Sequence, residues 1–551
     1  MNLKLRQTTD KIFTISSGFA VVLMILALVL ILGPIFIKGS SAVFFKGTNE
    51  FRKMQYNLFD RGDIKELNAE RDEINKARKP ALDVYMNFAA GLDTESLHKL
   101  TKKIYRNYKK QLANQVDAHS ITKKQARKLK KLAKKTRDNI LDALESDAKS
   151  DALKSIVKAK SLAENPAFKN TAAVEYVRIT STYKTVVETV DLKKRKEYAK
   201  SLSKVKEILR RLFGPLPGEE TPAVQFEQYG STRWDMAQIE LDSLLWEKKY
   251  VKQEGSEQLV EKKVRRAKSF EGTPMEDFFG IIERDAEKML NPKSTVYLNY
   301  FTDKHTVSYF FGGVGQEIVG TLYITVLSML FAFPLGVITA AFLAEVKPQG
   351  KHSGIINIVL RIIRTCINTL AGVPSIVFGL FGLAFFVLKV QPALGLSKEV
   401  SILAGAMTLA VLILPVIIRA SEEAIRSVPV YYREASLALG ASKLRTFITV
   451  TMPAALPGIL TGVILSMSRA AGETAPLIFT AVAMTGITAA SVFDSTQILS
   501  YGSMDLATGA REGMRLPHKQ YGMVMTLILL VLLLNITAII IRWRVSKKLR
   551  G

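Results

Sequence analysis

The chain has 551 residues, of which 48% are hydrophobic and 23% charged, and a formal net charge of +27. Its one cysteine, Cys366, excludes an internal disulfide framework and a zinc site built from several thiolates. The five histidines never stand four residues apart, and no G-x-x-x-x-G-K-[S/T] loop occurs. We therefore expect no metal site, no cofactor and no nucleotide hydrolysis by a phosphate-binding loop in this chain.

Several uncharged runs are long enough to cross a bilayer, which takes about 20 mostly apolar residues in a helix. There are six such runs, free of Asp, Glu, Lys and Arg: 12–37, 318–344, 365–388, 400–418, 446–468 (continuing past a charged break to 493) and 520–541. The sequence therefore predicts an all-α, polytopic membrane protein with six transmembrane helices.

The first run follows three basic residues, a pattern shared by cleaved signal peptides and uncleaved anchor helices. Its 26 uncharged residues exceed the apolar core of a signal peptide, which is about 7–15 residues long. Residues 39–42, Gly-Ser-Ser-Ala, resemble a weak cleavage site. We expect residues 1–37 to form a cytoplasmic N-terminus and an anchor helix.

Lysine and arginine in short connecting segments predict the orientation, because they are enriched on the cytoplasmic side. With a cytoplasmic N-terminus, that side holds 17 of them and the opposite side 5. Both termini are therefore expected in the cytoplasm. Residues 38–310 would lie outside, and 311–551 would form a core with five membrane helices.

The segment 38–310 is charged, with 54 Lys and Arg against 39 Asp and Glu. Apolar residues at helical spacing, from Leu129 to Leu144, alternate with basic residues that would cover the other face. We expect a mainly helical, extracytoplasmic domain inserted between the first and second membrane helices.

Within that segment, the run KKQARKLKKLAKKTR (123–137) has three interpretations. Nucleic-acid binding is disfavoured, because the run lacks aromatic residues that stack on bases and the expected compartment holds no nucleic acid. A solvated helix face is one remaining interpretation. A surface that attracts anions or contacts acidic envelope material is the other.

The connection between the fourth and fifth predicted spans contains a short helical stretch of small residues that ends at Gly440, a typical helix stop. A plain interfacial turn would have similar features. The stretch also resembles the E-A-A-x-x-x-G-x₉-I-x-L-P signature of ABC-importer permeases, the loop that docks into the ATP-hydrolysing subunit. Ser436, Val450 and Met452 depart conservatively from it, and four residues match: Glu434, Ala435, Gly440 and Pro453.

The fifth predicted span contains two ionisable residues, Arg469 and Glu473. A charge at the centre of a bilayer costs about 2.5–3.5 kcal/mol, so such residues usually pair or face a pathway. The two stand four residues apart, on one face of a helix, and could form a purely structural ion pair. Alternatively, the guanidinium could bind a tetrahedral oxyanion. The carboxylate would then accept a hydrogen bond from a protonated one.

The segment SRAAGETAPLIFT (468–480) resembles the A-R-x-x-G-E-T-A-P-L-L-F-T-A segment of the PstA family of phosphate-importer permeases. Three further stretches resemble the same family and occur in the same order: 312–323, 342–345 and the glycine-rich 370–382. The resemblance covers roughly 297–551 and, more loosely, the first span. It implies a type I ABC permease core, with Arg469 and Glu473 in the substrate pathway.

The resemblance implies a transporter subunit rather than an enzyme, in a bacterial inner membrane. It also implies a second homologous permease, ATP-binding subunits that hydrolyse ATP, and an extracytoplasmic phosphate-binding protein, with inorganic phosphate as the substrate. Nucleic acid is not an expected partner. Two alternatives remain open: a permease for another oxyanion such as sulfate or molybdate, and a signalling or scaffold protein built on a permease core.

The orientation generates the first prediction. A cysteine at position 130, in a Cys366→Ala background, should react with a membrane-impermeant maleimide in intact cells, because residues 38–310 are expected outside. A cysteine at position 443, in the predicted cytoplasmic connection, is the control and should react only after permeabilisation. The reverse pattern would contradict the orientation.

Overall fold

The computed structural model describes residues 3–220, 230–252, 259–306, 309–346, 353–482, 489, 491–509 and 516–550. Four basic residues that contribute to the orientation prediction lie outside these ranges: Lys347, Lys351, Arg511 and Arg515. The chain divides into two compact units. We call residues 1–45 with 295–551 the membrane unit, and residues 46–294 the inserted unit.

The membrane unit is built from helices, as the uncharged runs predict. They are Leu3–Ser40, Gly315–Glu345, Ser353–Ala371, Ser375–Gly382 (continued through Leu383–Val390 and Gln391–Ala393), Ile402–Arg426, Val430–Ala438, Lys443–Thr446 (continued through Phe447–Thr451 into Met452–Gly472), Ala475–Thr480, Leu499–Thr508 and Pro517–Arg550. A 3₁₀ turn, Leu298–Phe301, precedes the second long helix.

Seven helices in the described part are long and apolar enough to cross a membrane, one more than predicted. The additional helix is Gly354–Ala371, which has the lowest mean hydropathy of the seven, 1.4. The run 365–388 contains the end of this helix. The helix ends at Ala371, and a new helix begins at Ser375. Pro374 explains the break, because proline disfavours helical backbone in the residue before it. Arg361 and Arg364 kept the start of the helix out of the uncharged run.

The inserted unit is also mainly helical, which confirms the fold class. Its helices are Asn49–Phe59, Ile64–Leu92, Thr94–Asp117, Lys123–Glu145, Lys149–Ala163, Glu175–Thr189, Arg195–Phe213, Trp234–Leu245 and Met275–Leu290. Trp246–Lys252 and Leu259–Arg265 form an antiparallel pair. The short strands Phe44–Gly47 and Lys293–Val296 also pair with each other.

The basic helix Lys123–Glu145 shows how the sequence pattern becomes structure. Thr122 and Gln125 form a capping box at its start, in which each side chain bonds the backbone N–H of the other. Ala133, Ile140 and Leu144 are buried in an apolar cluster with the neighbouring helices, as their spacing predicts. The lysines of this helix lie on its exposed face.

A buried charge cluster joins three elements of the inserted unit at Glu70, on the helix Ile64–Leu92. Its carboxylate accepts hydrogen bonds from Asn49 Nδ2 at 3.1 Å, from Arg52 Nε at 2.9 Å, and from Lys293 Nζ. Burial opposes ionisation of this carboxyl, but the hydrogen bonds from Lys293, Arg52 and Asn49 outweigh it, so the pKa of Glu70 lies below its ordinary value.

Glu70→Gln should destabilise this cluster by about 1–3 kcal/mol at pH 7.5, a roughly 5- to 150-fold loss of amide protection. The measurement is hydrogen exchange of peptides from 49–92 in the full-length protein. Because the folded pKa is lowered, the carboxylate stabilises the fold above the ordinary carboxyl pKa, and this contribution is lost as the pH falls through the folded value.

The difference from the parent protein should therefore shrink below about pH 4. Glu66→Gln is the matched control. The Glu66 side chain is 71% exposed, and its Oε1 atom lies 3.7 Å from Lys293 Nζ, the lysine that also bonds Glu70. An equal effect of both substitutions would contradict the role given to Glu70.

Candidate functional site

The helix Met452–Gly472 ends between the two ionisable residues of the predicted fifth span, Arg469 and Glu473. Glu473 has extended backbone, with φ −74° and ψ 136°, and a short helix, Ala475–Thr480, begins two residues later. Pro476 stands in the first turn of that helix, where its missing N–H needs no partner. The expectation that one continuous helix carries both residues is therefore wrong: the helix ends at Gly472, and Glu473 lies just beyond its end.

Arg469 and Glu473 nevertheless pair across the helix end. Arg469 Nε lies 3.3 Å from Glu473 Oε1. The arginine side chain is 44% exposed and the glutamate side chain 18% exposed in this single chain. Arg469 stands in the last turn of its helix, where the helix dipole favours a cation. The pair therefore combines a fixed carboxylate with a guanidinium that is still accessible.

Close helix packing positions the break. A Cβ on Gly379 would lie 2.8 Å from the Pro476 Cα atom, and one on Gly405 would lie 2.5 Å from the Ala481 Cβ atom. Only glycine permits these approaches, so the glycine-rich segment 375–382 and the helix Ile402–Arg426 pack directly against the restarted helix. This packing holds the chain immediately after Glu473.

Two polar contacts near the pair were not predicted from the sequence. Ser500 Oγ donates to the backbone carbonyl of Glu473 at 3.1 Å, and Ser468 Oγ donates to Asn535 Oδ1 at 2.8 Å. Asn535 is a polar residue inside the long apolar run 520–541, which is the available signal, since such residues often bond across helices in membranes. Nothing in the sequence alone indicates Ser500.

The segment 430–446 contains three of the residues predicted to dock, Glu434, Ala435 and Gly440, and we call it the docking segment after that prediction. It consists of two short helices on either side of Gly440. Gly440 has φ +83°, which side-chain-bearing residues rarely adopt. Its N–H donates to Leu437 O at 3.0 Å, and the N–H of Ala441 donates to Ser436 O at 3.3 Å. This is the Schellman pattern that terminates a helix. The helix stop predicted at Gly440 is therefore present.

The docking segment exposes apolar side chains. No residue of Val430–Ala438 is buried, so Glu434 and Ala435 both lie at the surface. Leu439 is 90% exposed and Leu444 69% exposed. These apolar side chains are therefore available for contact with another protein or with the membrane. Pro453 lies apart from them, half-buried in the first turn of Met452–Gly472.

Arg433 fastens the docking segment to the ends of two long helices. Its Nη1 atom lies 2.8 Å from Glu345 Oε1, at the end of Gly315–Glu345. Its Nη2 atom donates to Ile425 O at 2.6 Å, near the end of Ile402–Arg426. Arg433 therefore links the docking segment directly to both helices.

In the described ranges, no group of three or more His, Cys, Asp or Glu could hold a metal ion.

Comparison with known proteins identifies relatives of the membrane unit. Residues 332–551 match the family model described as "Binding-protein-dependent transport system inner membrane component". The chain is 41% identical over 193 residues to the "Probable ABC transporter permease protein YqgI" of Bacillus subtilis (strain 168), covering 35% of this chain and 61% of that protein.

The chain is also 35% identical over 245 residues to the "Phosphate transport system permease protein PstA 1" of Mycobacterium tuberculosis (strain ATCC 25618 / H37Rv). That match covers 44% of this chain and 73% of the relative. Among solved structures, an inward-facing MetNI methionine ABC transporter matches with 20% identity and a TM-score of 0.34, covering 42% of this chain and 95% of that one.

Proposed function

We propose that this chain, which belongs to the PstA family of binding-protein-dependent transport permeases, forms part of a pathway that imports inorganic phosphate. Membership of the family makes the chain a multi-pass inner-membrane transport subunit rather than an enzyme. The single observation that carries the substrate assignment is the Arg469–Glu473 pair at the helix break.

The pair suits phosphate because phosphate keeps a proton near neutral pH. The exposed guanidinium of Arg469 can bind the oxygens of a tetrahedral anion through two parallel hydrogen bonds. The carboxylate of Glu473, held by its helix-end position, can accept a hydrogen bond from the P–OH group. Sulfate and molybdate carry no proton at this pH and would meet only repulsion from that carboxylate.

The docking segment is the proposed contact with the ATP-binding subunits. Its exposed apolar residues would insert into those subunits, and Arg433 would transmit their movement to Gly315–Glu345 and Ile402–Arg426. A second homologous permease would complete the pathway, and an extracytoplasmic phosphate-binding protein would supply the substrate. In this proposal both termini and the docking segment are cytoplasmic, and residues 38–310 lie outside.

The docking role predicts that Gly440→Asp uncouples transport from ATP hydrolysis. Aspartate in the left-handed conformation costs about 1–2 kcal/mol and places a charge on the contact surface. The measurement is ATP hydrolysis stimulated by the binding protein, in vesicles that contain the whole complex. Stimulation should fall while the complex still assembles.

Gly395→Asp is the matched control for this substitution. Gly395 also has a left-handed backbone, with φ +75°, and a Cβ there would meet nothing within 4 Å, but it lies outside the docking segment. Stimulation should be retained in the control. Unchanged stimulation in Gly440→Asp would refute the docking role.

The substrate role predicts that Arg469→Gln abolishes uptake of ³²P-phosphate while the protein remains in the membrane, because glutamine keeps hydrogen bonding but loses the charge. Glu473→Gln should lower uptake roughly 10- to 150-fold, since a hydrogen bond to a charged group contributes about 1.5–3 kcal/mol. Protein levels should persist in both variants, because Arg469 is partly exposed and is not stranded in an apolar interior.

Arg542→Gln is the control for removing an arginine from the same bundle, since Arg542 donates to Thr461 on the helix Met452–Gly472. Its uptake should stay close to the parent rate. Parental uptake by either Arg469→Gln or Glu473→Gln would show that the pair is structural. Sulfate or molybdate uptake by the parent complex, lost in Arg469→Gln, would favour a permease for another oxyanion.

A further inference from the structure

Three arginines line an open cavity of about 350 Å³ in the membrane unit. The cavity lies between the helices Ser353–Ala371 and Ile402–Arg426. Its lining consists of two isoleucines and five polar residues: Arg364, Asn368, Arg419, Glu422 and Arg426. None of these polar residues belongs to the Arg469–Glu473 pair or to the docking segment.

The lining carries more positive charge than its one carboxylate neutralises. Glu422 Oε1 lies 3.2 Å from Arg364 Nη2 and 2.7 Å from Arg426 Nη2. Arg419 instead bonds the neutral Asn368 Oδ1, and it pairs with no carboxylate in the described part of the chain. Three guanidiniums against one carboxylate leave a net charge of +2 around the cavity, which favours an anion.

The cavity is far from the Arg469–Glu473 pair. Arg364 and Arg426 both donate to Leu343 O, at 3.1 Å and 3.4 Å, near the end of Gly315–Glu345 that Arg433 ties to the docking segment. The helix Met452–Gly472 begins near the docking segment, and Arg469 lies 17 residues after the first residue of that helix. At about 1.5 Å per residue, this is roughly 25 Å along the helix.

Part of the cluster has an evident structural role. Arg364 and Arg426 satisfy the Leu343 carbonyl, one of the groups that a helix end leaves without an internal partner. Arg419 has no such role, because its bond joins two exposed side chains. A side chain of this kind can exchange its neutral partner for a better acceptor, and a phosphate oxygen is the acceptor that a guanidinium prefers.

We propose that this cavity is a second binding site, for a phosphate-type oxyanion, at the end of the membrane unit that carries the docking segment. The arginines supply bidentate donors, and the volume accommodates one phosphate group with several waters, each of which takes about 30 Å³. The anion is either inorganic phosphate or the headgroup of an anionic phospholipid. The idea that free phosphate occupies this cavity on the exit side of the pathway rests on the proposed function. The existence of the binding site does not depend on that function.

The test uses the full chain carrying Arg469→Gln, so that binding at the first site does not contribute. In nanodiscs of phosphatidylcholine, ³²P-phosphate binding is measured by scintillation proximity. In nanodiscs of phosphatidylglycerol, retained lipid is measured by native mass spectrometry. Binding in the first arm identifies free phosphate, and binding in the second identifies the headgroup.

Adding Arg419→Gln should weaken the binding at least tenfold in whichever arm shows it. Asn368→Asp is the second variant, because it is isosteric and places a carboxylate beside Arg419 that competes with the anion; it should give the same loss. Arg361→Gln is the matched control, since Arg361 is an exposed arginine on the same helix, outside the cavity lining.

Three results would overturn the proposal: no binding in either arm, binding unchanged by both Arg419→Gln and Asn368→Asp, or an equal loss in Arg361→Gln, which would indicate unspecific attraction to positive charge. These outcomes are independent of the proposed transport role of Arg469. The transport role of Arg469 is tested by phosphate uptake. The second site is tested by binding to a variant that lacks Arg469.

Discussion

Hydrocarbon surroundings make an unpaired charge costly, and the architecture of the membrane unit around Glu473 follows from this constraint. Arg469 Nε lies 3.3 Å from a carboxylate oxygen of Glu473, and the helix that carries Arg469 ends beside the pair. The helix end does two things at once. It directs the C-terminal dipole towards the arginine, and it lets the backbone turn so that Glu473 reaches back. A continuous helix would instead hold both side chains on one helix face.

Charged side chains also bond the helix ends near Leu343 and Ile425. Backbone carbonyls at a helix end need donors, and the chain supplies arginines: Arg364 and Arg426 at Leu343, and Arg433 at Ile425. Each of these arginines also contacts a glutamate, so the helix ends are joined into one charged layer.

The inserted unit is a different kind of structure. It has its own apolar core and buried ion pairs, such as the cluster around Glu70, and its basic surface is a consequence of amphipathic helices whose apolar faces are used internally. The helix Lys123–Glu145 shows this: Ala133 and Ile140 are in the core, and the lysines remain exposed. The family model matches residues 332–551, which lie in the membrane unit.

The sequence by itself determined the helical class, six of the seven long apolar helices of the described residues, the helix stop at Gly440 and the pairing of Arg469 with Glu473. These features depend on local composition, on short spacings or on a backbone conformation that glycine alone adopts readily. The tertiary structure decided two other features: the complete break at Glu473, and the meeting of Arg364, Arg419 and Glu422 around one cavity. They depend on contacts between residues about 50 to 100 positions apart, such as Gly379 against Pro476, and no local pattern in a single sequence encodes which distant side chains will meet.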